Sequence, residues 1–147
     1  TAHAFAPAIR DAVSIPFVSI IDVTVDACQG LGAVGLLPTA GVLQAGLYQD
    51  AFAAAGISTV LPDEAEVQEI SDLVFGFKVG NRGEAIKERM LAVAEALVTR
   101  GARGLVAACT EIPLVLDATM LDVPLVSSTD VLAEATAAIC AGSRPLP

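Results

Sequence analysis

The chain has 147 residues, of which 54% are hydrophobic and 4% aromatic, with no Trp. Eight Lys and Arg against seventeen Asp and Glu give a net charge of −9 and a pI near 4.3. Such a chain lacks the Lys/Arg clusters and stacking rings of a nucleic-acid surface, although one local cationic pocket still suits a small anion.

Small residues supply much of the apolar total, with 27 Ala, and mean hydropathy is +0.69. Charges nevertheless interrupt every apolar stretch. Residues 104–126, the longest, contain Glu111, Asp117 and Asp122, short of the roughly 18 uninterrupted apolar residues of a membrane span. No basic segment and apolar core of a secretory signal open the chain. Cys28, Cys109 and Cys140 are an odd, sparse set that reads as reduced thiols, so a cytoplasmic location is expected. His3 is the only histidine and no Cys-x-x-Cys occurs, which argues against zinc. The chain starts at Thr1 without Met, at the edge of a predicted helix. With the high apolar fraction, this suits a chain that has lost part of its packing surface.

Taken in order, residues 5–13 predict a helix with Pro7 in its first turn. Pro16 stops it, and residues 17–20 predict a short apolar strand. Residues 22–29 predict a helix ended by Gly30 and Gly32. Residues 33–37 predict a buried strand, 42–55 a helix stopped by Gly56, and 58–61 another strand. Pro62-Asp63-Glu64 opens a helix to about residue 79, with acids favoured in its first turn. Residues 84–100 carry the clearest amphipathic stripe, Ile86, Met90, Val93, Ala94 and Leu97. Residues 104–108 predict a buried strand ending at Cys109, 111–116 a turn or short helix, and 123–126 a strand. Ser128 or Thr129 is expected to cap a last helix over 130–141. Short apolar strands alternating with helices predict an α/β fold with a parallel sheet covered on both faces.

Ligands of open α/β sheets bind beyond the carboxyl ends of the strands. Two such ends stand out, Thr39-Ala40-Gly41 and Cys109-Thr110-Glu111. Each precedes a predicted helical segment, so each offers backbone N–H groups and a dipole that favour a carboxylate. A thiol there is expected to have a lowered pKa. Plainer roles exist for every one of these residues. Cys109 suits a buried inert thiol, as do Cys28 and Cys140 within apolar helices. Thr39 suits a helix cap, Glu111 a first-turn acid and Lys78 a partner of a helix C-terminus. His3 suits a surface histidine.

From Gly101 to Leu114 the string GARGLVAACTEIPL resembles the second-cysteine motif of the aspartate/glutamate racemase family. Thr1-Ala2-His3 resembles the tail of that family's first motif, Cys-Asn-Thr-x-His. VGLLPTAG from Val34, with Gly46-Leu47-Tyr48, is similar to its central strand–turn–helix. Phe77-Lys78-x-Gly80 looks like its Lys-x-Gly segment, and Val123-Pro-Leu-Val with Ser-Ser-Thr129 its last strand and helix start. The likeness runs in order along essentially the whole chain. Glu111 after Cys-Thr is more like the aspartate racemase branch.

The resemblance implies a two-lobed, pseudosymmetric fold of Rossmann-like lobes with the site between them. Residues 1–31 would be a remnant of the first lobe, 32–122 the second lobe, and 123–147 a return to the first. It implies a cofactor-independent amino-acid racemase of the aspartate/glutamate type that works by two-thiol proton transfer: one cysteine removes the α-proton and another returns a proton to the opposite face. Cys109 would be the second thiol. Thr39, Thr110 and Thr1 would hold the α-carboxylate, Lys78 a side-chain carboxylate, and Glu111 and His3 would stand behind the thiols. The partner implied is a small amino acid or dicarboxylate, with no nucleic acid, membrane or metal, and a homodimer is expected. The sequence departs from the pattern in three places. Cys-Asn does not precede Thr1, Val42 stands where a second Thr is common, and Ser127 stands where Asp is frequent. One thiol of two is therefore expected in this chain, which alone would not racemise. Single-thiol relatives, the arylmalonate decarboxylases and maleate isomerases, and a silent amino-acid-binding lobe are the alternatives.

Overall fold

A computed structural model describes residues 2–147. Four parallel strands, β1 (Ala33–Leu37), β2 (Ser58–Val60), β3 (Gly104–Ala107) and β4 (Leu125–Ser127), form one sheet in the order β2-β1-β3-β4. The helices are α1 (Ala6–Ala12), α2 (Ile20–Ala27), α3 (Ala40–Ala45), α4 (Leu47–Ala54), α5 (Glu64–Lys78), α6 (Glu84–Thr99) and α7 (Ser128–Cys140). Short 3-10 turns lie at Ala2–Phe5, Ile112–Leu114 and Ala118–Met120. The α/β fold with a helix-flanked parallel sheet is as the alternation predicts.

The side-chain period of two divides the core into two layers. Leu37, Leu105 and Ala107 face α5 and α6, packing with Ile70, Leu73, Met90, Ala94 and Leu97. Val34, Leu36 and Val106 face the other way, toward Ile21 and Val25 of α2, Cys28 just beyond its end, and Tyr48 and Phe52 of α4. A Cβ on Gly35 would stand 2.7 Å from Leu105 Cδ2 and 3.1 Å from Leu97 Cβ, so glycine lets α6 approach β1. α5 opens with a reciprocal cap, Asp63 accepting from the Glu66 N–H at 2.9 Å and Glu66 from the Asp63 N–H at 2.8 Å.

Four expectations are corrected. Residues 17–20 form no strand: Ser19 accepts the Asp22 N–H and caps α2, which takes in Ile20. The helix expected over 42–55 is two helices, because Gly46 adopts a left-handed φ of 68° between α3 and α4. Ser127, rather than Ser128 or Thr129, caps α7 through the Asp130 N–H. Cys140, expected inside an apolar helix, is exposed at the end of α7. No helix among the described residues is long and apolar enough to cross a membrane.

Strand order positions the site. The chain leaves β1 outward to β2, crosses back through α5 and α6 to β3, and continues outward to β4. The order therefore reverses between β1 and β3, where the carboxyl ends open a crevice. Leu37 and Ala107 are register partners there, and Ala107 in turn pairs with Ser127. Three successive strand ends thus meet at one edge.

Candidate active site

A cavity of about 330 Å³ occupies this edge. Thr39 reaches it from the end of β1, Cys109, Thr110 and Glu111 from the end of β3, and Ser128 from the end of β4. Lys78 enters from the last residue of α5 and His3 from the first 3-10 turn. Six of the seven residues singled out in the sequence therefore line one cavity. The seventh, Thr1, lies outside the described residues.

Glu111 organises the polar wall. One carboxylate oxygen accepts from the Cys109 thiol at 3.1 Å and from the Thr110 hydroxyl at 2.9 Å. The other pairs with Lys78 Nζ at 3.1 Å. Burial acts to raise the Glu111 pKa, but the Cys109, Thr110 and Lys78 contacts outweigh it and hold the carboxyl at about 2. Glu111 is thus an anion throughout the neutral range.

The thiol departs from the expectation of a lowered pKa. Burial pushes Cys109 up, and the Glu111 carboxylate adds to this, while the Glu111 N–H and Lys78 oppose it. The segment after Cys109 is a three-residue 3-10 turn, Ile112–Leu114, too short to carry the dipole expected of a helix. Cys109 therefore rests as a thiol whose proton is directed at Glu111.

Thr39 occupies the cap position of α3, yet its side chain makes no cap hydrogen bond. Its hydroxyl is left to the cavity. His3 Nε2 accepts the Ile20 N–H at 3.2 Å, and burial lowers the His3 pKa. The ring is neutral in this geometry and ties the N-terminal turn to the start of α2.

Two further polar residues line the cavity without having been given a site role from the sequence, Ser128 and Tyr48. Ser128 is 2% exposed and donates to the Ala107 carbonyl at 2.8 Å, fixing the strand end that carries Cys109. Tyr48 is buried beside the Ser128 and Thr24 hydroxyls, and burial pushes its phenol up. Ser128 had a signal, since it is the first residue beyond a strand end. Tyr48 stood in the Gly46-Leu47-Tyr48 likeness, but nothing in the sequence assigned it to the cavity. Among the described residues, Cys109 is the one cysteine lining this cavity, and no group of three His, Cys, Asp or Glu is placed to hold a metal.

Comparison with known proteins adds a family. The model of the Asp/Glu/Hydantoin racemase family matches residues 1–136. An uncharacterized protein in the pnlA 3' region of Pectobacterium carotovorum subsp. carotovorum is 31% identical over 102 residues, covering 68% of this chain and 67% of that protein. A crystal structure from Yersinia pestis, provisionally assigned as an Asp/Glu racemase, aligns with TM-score 0.85 and 27% identity over 92% of this chain and 60% of that one. Picrophilus torridus aspartate racemase aligns with TM-score 0.78 and 25% identity over 99% of this chain and 60% of that one. The chain thus spans about 60% of the length of these two solved relatives.

Proposed function

The chain belongs to the Asp/Glu/hydantoin racemase family, and on that premise we propose that it serves a cofactor-independent amino-acid racemase in which Cys109 is one of two proton-transfer thiols. The observation that carries this reading is the Cys109 thiol at the end of a central strand, facing a cavity and hydrogen-bonded to an ionised Glu111.

Inversion at one carbon needs a base on one face and an acid on the other. A thiolate takes the α-proton, leaving its electron pair on the substrate as an enolate. The opposing thiol delivers a proton to the other face and becomes the thiolate. No atom is gained or lost, and the two sulfurs exchange protonation states. Cys109, resting as a thiol, starts as the acid in this scheme. The second thiol is assigned to the Cys-Asn-Thr-x-His motif whose tail Thr1-Ala2-His3 resembles. Thr39, Thr110 and Thr1 are assigned to the α-carboxylate, with the Lys78 charge at the same wall. Hydrogen-bond donors on that carboxylate stabilise the enolate as it forms. Glu111 orients Cys109, and His3 supports the start of α2. The resemblance assigns residues 1–31 and 123–147 to one lobe and 32–122 to the other, whereas here β4 continues the sheet beside β3 and α2 packs against β1.

A single-thiol reaction is the second reading, favoured by Cys109 being the one cysteine at the cavity among the described residues. Chiral chromatography separates the two. A protein carrying both motifs should convert one enantiomer to the racemate, and Cys109→Ser should abolish conversion. The 147-residue chain alone should not invert; inversion by it at a rate matching the longer protein would refute the two-thiol assignment.

A further inference from the structure

The lining of the cavity is of two kinds. The polar wall holds Cys109, Glu111 and Lys78, and its one lysine is already neutralised by Glu111 at 3.1 Å. The cavity is also lined by aliphatic side chains, Ile20 and Ile21 at the start of α2, Val42 of α3 and Leu47 at the start of α4. We propose that the substrate carries a single carboxylate and an aliphatic side chain, the side chain seated against Ile20, Ile21, Val42 and Leu47. This rests on the racemase reading and names its substrate class.

Charge and the aliphatic lining both favour this class over a dicarboxylate. Lys78 and Glu111 sum to zero, matching a zwitterion with one carboxylate. A second carboxylate brings a further negative charge beside Glu111. Some of the backbone N–H groups along the aliphatic lining are already taken. The Ile20 N–H is taken by His3 Nε2, the Ala40 N–H by Ser71 Oγ, and the Val42 and Leu43 N–H groups by the Thr39 carbonyl. An aliphatic group seated there gains by leaving water, whereas a carboxylate gives up hydration. The resemblance assigns Lys78 to a side-chain carboxylate; in the structure Lys78 pairs with Glu111.

Calorimetric titration of the protein with leucine, aspartate and glutamate tests this without requiring turnover. Leucine should bind more tightly than either dicarboxylate by about tenfold or more, the scale on which a hydrophobic pocket discriminates. Val42→Lys should reverse the preference toward aspartate, and Leu47→Lys provides a second variant should the first not fold. Equal or tighter binding of aspartate or glutamate by the unmodified protein would overturn the proposal, as would no saturable binding of leucine. A folded lysine variant that keeps the original preference would overturn it too. Deuterium exchange at the α-carbon reads the racemase assignment separately: exchange with aspartate preferred leaves that assignment standing while this proposal fails.

Discussion

Glu111 accepts the Cys109 thiol at 3.1 Å on the same carboxylate that pairs with Lys78. The sulfur therefore faces an anion whose own charge is balanced from the far side. This relationship sets the resting protonation of the site and links three residues that the sequence separates by a helix and a strand.

Thiol titration should report it. Alkylation of Cys109 by iodoacetamide, followed by peptide mass spectrometry, should rise only above the ordinary thiol range, because burial and Glu111 both raise its pKa. Glu111→Gln should move the midpoint down, and Lys78→Met should move it up. Cys28, fully buried and pushed to about 11 by burial, should stay unlabelled until the protein unfolds. An unchanged midpoint in Glu111→Gln would remove Glu111 from control of the thiol.

Acid stability should carry the signature of Glu111. Its folded pKa of about 2 lies below the ordinary 4.5. Its stabilising contribution is therefore complete above about pH 4.5 and is lost as pH falls toward about 2. Urea midpoints of the wild type and Glu111→Gln should differ at neutral pH and converge through that window. A difference that stays constant would place the stabilisation elsewhere.

Gly35→Ala should destabilise the fold by about 1–3 kcal/mol through overpacking. The added methyl would meet Leu105 on the neighbouring strand and Leu97 on α6. Equilibrium urea unfolding measures this, and a change near zero would show that α6 shifts freely.

Most of the fold was legible because β1 and β3 are continuous apolar runs and α5 and α6 have strong starts. The failures have specific causes. Residues 17–20 are apolar enough for a strand, but Ser19 supplies a cap, and a local hydrogen bond decided the segment. The break at Gly46 depends on a left-handed φ that composition does not reveal. At the site, Thr39 and Cys109 were legible as strand ends. Cys109 acidity was not, because it depends on burial and on where the Glu111 carboxylate points. Tyr48 was legible as part of the Gly46-Leu47-Tyr48 likeness but not as a cavity residue, because the α3–α4 break was not foreseen.

Self-association should accompany the exposed apolar side chains. Phe5, Ile15, Phe75, Val79 and Leu114 are each between 64% and 72% exposed, large apolar side chains that a protein contact would cover. Sedimentation velocity over a range of concentrations should show a rising weight-average mass. A single monomeric boundary at every concentration would show that these residues need no cover.

The most direct measurement of the central claim is deuterium entry at the substrate α-carbon in D₂O, followed by NMR. A protein carrying both cysteine motifs should exchange the α-hydrogen, and Cys109→Ala should slow that exchange by about 10²–10⁴-fold with the fold intact, the usual contribution of a general acid or base. Exchange by Cys109→Ala at the wild-type rate would contradict the assignment of Cys109 as a proton-transfer thiol.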